Sequence, residues 1–231
     1  GGGTLSNTNS LTLGNASSVL NVAGPNTVSG PIALTAGTLD IDEDSVISGA
    51  IAQGGPASID VASGKTLTYS GTALSLGEYT LTLTGGGTLS NTNSLTLENV
   101  TSVLNVTGPN TVSGPIALRA GTLDIDEDSA ISGAIVQGGS ASIDVDQGKT
   151  LTYSGAAISL GANTLTIAGG GSISSTNALV LENADSQLAI TGNGVLSGAQ
   201  VTTALTTGIV INESSTITAL TIRAVSYTHL R

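Results

Sequence analysis

The chain has 231 residues with no Cys, Met, Trp or Phe and only four Tyr; sixteen acidic against five basic residues leave a net charge of −11. The absence of cysteine excludes a disulfide framework and a thiolate metal site. The negative charge repels phosphate backbones and anionic lipid, which sets nucleic acid and membrane surfaces aside as partners.

Apolar content comes from Leu, Val, Ile and Ala, which suits a narrow aliphatic core better than the wide cores that aromatics fill. No run of about 18 apolar residues is present to span a membrane as a helix. No charged-then-apolar leader opens the chain, which starts inside a repeat and is expected to be a segment of a longer protein.

From Gly1 onward, polar and apolar residues alternate with a period of two, as in Thr80-Leu81-Thr82-Leu83-Thr84. That period defines half-buried strands, and the abundance of Thr, Val and Ile agrees with it. No stretch sustains a helical period, so the expected structure is all-β. A Ser-Gly step recurs at Ser29-Gly30, Ser48-Gly49 and Ser70-Gly71. Ser6-Asn7 and Ser90-Asn91 complete the series, and the intervals from Ser6 through Ser29, Ser48 and Ser70 to Ser90 are 23, 19, 22 and 20.

The whole first block then returns. Residues 85–168 match residues 1–84 at 68 positions. Residues 169–222 hold a degenerate third copy, opened by Gly169-Gly170-Gly171. Repetition at a fixed long period marks an architecture grown by stacking. Each block holds four units of about 21 residues, the size of β-solenoid coils, so the expected fold is a parallel β-helix of ten to eleven coils. Apolar residues should stack inward and Thr, Ser and Asp point outward. Gly and Asn should occupy corners that require positive φ. The tail 223–231, with His229 and two of the five basic residues, breaks the pattern and is read as non-native.

The stretch from Gly24 to Ile41 contains Asn26-Thr27-Val28-Ser29-Gly30 and Ala36-Gly37-Thr38-Leu39, and its copy runs from Gly108 to Ile125. Both resemble the autotransporter-associated β-strand repeat, with Val28 and Val112 at its usual Tyr and Pro31 and Pro115 at its second Gly. The resemblance implies a passenger-type β-helix of a large bacterial surface protein, exported through an outer-membrane pore and located outside the cell. It further implies adhesive or structural work on a host or cell-surface glycan or protein, or on other copies of itself.

The densest charge clusters are Asp40-Ile41-Asp42-Glu43-Asp44 and Asp124-Ile125-Asp126-Glu127-Asp128. A helix-loop-helix calcium loop would need Gly and Glu where Ser45 and Ile51, or Ser129 and Ile135, stand. The favoured reading is an outward acidic surface that keeps the sheet soluble and guards its edges; a looser calcium site at a corner stays open. Gly64-Lys65-Thr66 and Gly148-Lys149-Thr150 lack the upstream Gly of a phosphate loop, with Ile59 and Ile143 in its place.

A polysaccharide-binding or polysaccharide-cleaving site would need a singular carboxylate constellation with basic partners. Lys65, Arg119 and Lys149 are the only basic residues before the tail. Ice binding would need aligned threonines; the pairs Thr66/Thr68, Thr82/Thr84, Thr150/Thr152 and Thr164/Thr166 are candidates. We therefore expect a non-enzymatic structural segment with no catalytic residue, cofactor or metal.

Overall fold

The structure, a computed structural model, describes residues 2–198, 201–203, 208–211, 215–218 and 220–222. The tail 223–231 and most of Ile211-Asn212-Glu213 lie outside the described residues. Among those described there is no helix, and 32 short strands wind into a β-solenoid of ten complete coils and part of an eleventh.

Each coil lays one strand on each of three faces. Coil one contributes Thr4–Leu5 to the first face, Leu11–Leu13 to the second and Val19–Val22 to the third. The first face is an unbroken sheet of 11 strands and the third an unbroken sheet of 10, every pairing parallel. The second face is divided into sheets of 3, 4 and 4 strands.

The period of two in the sequence is what produces this shape. On the third face, Leu39 and Ile41 are buried while Thr38 and Asp40, which alternate with them, point outward. Registered pairing repeats the choice in every coil, so Leu39 stacks on Ile59 and Leu123 on Ile143. The core is a narrow column of such ladders. Burying one aliphatic side chain stabilises the fold by about 1.5–3 kcal/mol, and the aligned stack repeats that gain at each coil.

Two aromatic residues do enter the column: Tyr69 and Tyr153 are 1% and 2% exposed. The composition did not reveal this, because four Tyr scattered through a chain carry no periodic signal.

The Ser-Gly steps form the corner between first and second faces, and their glycines are there for a reason other than dihedral freedom. Gly30, Gly49 and Gly71 have ordinary φ but stack directly on one another. A Cβ on Gly49 would stand 1.9 Å from the Gly30 carbonyl oxygen, and one on Gly133 would stand 1.8 Å from that of Gly114. Positive φ is concentrated at the other two corners, as at Gly37 and Gly64.

Register also corrects the last of the four intervals read from the serines. Tyr69 pairs with Asn91, so Ser70 faces Thr92, and Ser90 lies two positions too early to be its partner. Following the pairs from Thr4 through Thr27, Val46 and Thr68 ends on Ser90, whereas the copy of Thr4 is Thr88. The third face gives the same result: Val19 leads to Asn105, two past its copy Val103. The stack thus slips by two positions per block. Because two is even, no inward residue is turned outward.

The glycine stack yields a test. Gly49→Ala forces a Cβ into backbone and should cost about 3 kcal/mol, in the range of severe overpacking. Gly64→Ala, at φ +74 with open space around it, should cost about 1 kcal/mol. Denaturant midpoints of the two variants check the ordering; equal losses would contradict the close-approach account.

Candidate functional site

The acidic clusters and the Gly-Lys-Thr motifs, separate in sequence, meet at the corner between third and first faces. Glu43 and Asp44 lead into Ser45–Ile47 of coil three, and Lys65 leads into Thr66–Tyr69 of coil four. Stacking therefore places Lys65 over Glu43, with Nζ 2.5 Å from Oε2, and lets Thr66 N–H donate to Asp44 Oδ1 at 2.7 Å. Lys149 and Glu127 repeat the ion pair at 2.5 Å, and Thr150 N–H donates to Asp128 at 2.7 Å. The hydrogen bond that Lys65 donates to Glu43, and then the charge of Glu43, raises the Lys65 pKa. The motif that resembled a phosphate loop is a lysine cap on an acidic corner.

The remaining carboxylates form short ladders on the third face. Asn21, Asp40 and Asp60 are registered on successive coils, as are Asn105, Asp124 and Asp144. In the first block Asn21 Nδ2 donates to Asp40 and Asp42 at 2.8 and 3.0 Å. The triple-glycine stretches that open the second and third blocks make room for the ends of these ladders. A Cβ on Gly85 would lie 2.1 Å from Asp60 Oδ1, and one on Gly169 would lie 2.2 Å from Asp144 Oδ1.

Crowding like charges on a partly covered surface disfavours ionisation. Burial, then the charges of Asp126, Asp144 and Asp146, pushes Asp124 up to about 6. Asp144 is raised by burial and by Asp146 and Asp126. Asp60 is raised by burial and by Asp40 and Asp42. The carboxylate ladder of the second block is the more crowded because Asp146 stands where the first has Ala62.

Among the described residues, no three of His, Asp and Glu are grouped so as to hold a metal ion. An open surface depression on the first face is bounded by Pro109, Thr111, Asp128, Ala130, Thr150 and Thr152. Arg119 is exposed at the second-to-third corner, away from the ladders. The threonine pairs divide between faces: Thr66/Thr68 and Thr150/Thr152 lie on the first, Thr82/Thr84 and Thr164/Thr166 on the third. They do not form a single rank.

Other polar side chains serve the backbone. Asn91 Nδ2 donates to the carbonyls of Asn93 and Pro115 at 2.8 and 3.0 Å, closing the first corner. Ser45 and Ser129, both buried, donate to Gly24 and Gly108 at 2.9 Å. These roles were not legible from spacing alone, since the carbonyls of Pro115, Gly24 and Gly108 each lie a full coil away.

The class that fold and surface define is a parallel β-solenoid repeat protein. No family model matches the chain, and neither a curated protein nor a solved structure matches it.

The acidic ladder sets a pH dependence. Asp124 holds a proton in the native state between its unfolded value near 3.8 and its folded value of about 6. The native state binds more protons than the unfolded chain in that window, so stability falls as pH rises through it. Denaturation at pH 4.5 should therefore require more denaturant than at pH 7.5, and Asp124→Asn should remove much of the difference. A wild-type midpoint that rises over this range would contradict it.

Proposed function

We propose that this chain is a stiff, non-catalytic spacer within a large repeat protein displayed outside a bacterial cell. The observation that carries the reading is the continuity of the first- and third-face sheets through ten coils. A stack in which each coil bonds to the next resists bending and needs no ligand to hold its shape. The duplicated block supports the same reading, because copying four coils lengthens a rod without redesigning it. Placement at a cell surface rests on the resemblance of residues 24–41 and 108–125 to the autotransporter-associated repeat.

The surface suits a spacer. Its lysines are engaged by glutamates, and its carboxylates recur in both blocks instead of forming one unique constellation. Its partners on this reading are a glycan or protein at a cell surface, or further copies of the rod, met along its length or at a region it holds at a distance.

Removing residues 85–168 should shorten the particle by about 19 Å, four coils at about 4.8 Å each, while leaving a folded rod. Small-angle scattering of the full and shortened chains measures this. A maximum dimension unchanged by the deletion would sink the rod, and release of reducing ends from a polysaccharide panel would sink the absence of catalysis.

A further inference from the structure

The second face is cut once in each of the first two blocks, and side chains stand where the backbone ladder stops. In coil three the second-face strand is Ile51–Gln53; in coil four it is Leu74–Ser75, and the two are not paired. The same gap separates Ile135–Gln137 of coil seven from Ile158–Ser159 of coil eight. The cause is in the sequence. Four residues, Ser70 to Ala73, separate the first- and second-face strands of coil four, whereas three, Ser48 to Ala50, do so in coil three. The extra residue carries the next strand out of register.

At an uncut boundary, Ile32 N–H donates to the Ala50 carbonyl at 2.8 Å, and Ile116 N–H to that of Ala134 at 2.9 Å. At the cuts, Ile51 N–H donates instead to the Tyr69 hydroxyl at 3.1 Å and Ile135 N–H to that of Tyr153 at 3.2 Å. Gln53 and Gln137 cross the gap, each donating to the carbonyl of Thr80 or Thr164 at 2.9 Å. Their Oε1 atoms are buried without a protein partner. Beneath the second cut lies a cavity of about 10 Å³ lined by Ile135, Tyr153, Ile158 and Ile173 among others, about the volume that one water requires.

Opposite each cut stands the lysine-capped corner. Glu43–Lys65 and Asp44–Thr66 tie coil three to coil four, and Glu127–Lys149 and Asp128–Thr150 tie coil seven to coil eight. Both described ion pairs therefore occur at the two boundaries where the second ladder is missing.

We infer that these boundaries are local opening points: the second face parts there and admits water, while the unbroken first- and third-face ladders and the salt-bridged corner hold the adjoining coils together. Hydrogen bonds carried on rotatable side chains yield before a backbone ladder does. An orphan amide oxygen loses nothing when a gap admits water. Both copies preserve the arrangement despite the changes Leu74 to Ile158 and Tyr79 to Asn163 around it.

Hydrogen exchange of the full chain, followed by NMR, tests this with four buried isoleucine amides. Ile51 and Ile135 should exchange at least ten-fold faster than Ile32 and Ile116. Tyr69→Phe, which removes the acceptor, should accelerate Ile51 by a further ten-fold or more and leave Ile135 unchanged. Equal exchange at all four positions overturns the local opening, as does a variant that accelerates all four together. If the variant does not fold, the wild-type comparison alone decides.

Discussion

Everything in this molecule hangs on the parallel hydrogen bonds that join each coil to the next. They fix the spacing at about 4.8 Å, and that spacing decides what each position can be. A corner glycine is required where a carbonyl of the coil before occupies the space of a Cβ, as Gly30 does to Gly49. An aspartate raises its neighbour's pKa because register sets it directly alongside, as with Asp124 and Asp144. The core is a column because each coil closes on three short strands, which leave room between them only for a narrow apolar stack. Contacts between sequence neighbours matter little here; those between residues one coil apart matter most.

Composition and period two made the strands legible, and the long copied block made the coils so. Leu39, Ile59 and Leu123 fell inward as alternation required. The finer features escaped because their signals are not periodic. Tyr69 reads as an outlier in an aliphatic pattern, and only the missing ladder beside it explains its burial. The serine spacing located the first corner but misjudged one interval, since Ser90 keeps its place in the block while register passes to Thr92. Glu43 and Lys65 were each noticed, in separate motifs with separate meanings; their pairing needed the fold to bring groups a full coil apart in sequence to 2.5 Å.

Duplication has acted on this rod as a copying of solved problems. Each of the first two blocks carries its own corner glycines, lysine cap and tyrosine plug, so a new block inserted in phase meets the packing its ends were shaped for. Changes between blocks gather on the surface and near the cut, as at Thr35 and Arg119 or Thr72 and Ala156. The ladders beneath are held by stacking on both sides and have little freedom to vary.

The two-position slip has a consequence for recognition. With about 21 residues to a coil, each new block presents its surface rotated by roughly a tenth of the perimeter. Identical patches consequently follow a slow spiral instead of a straight line. A rigid, flat partner lying along the rod meets a given patch once and then loses it around the side, while a flexible or winding partner could follow every copy. Lengthening such a rod adds reach without adding avidity for planar surfaces.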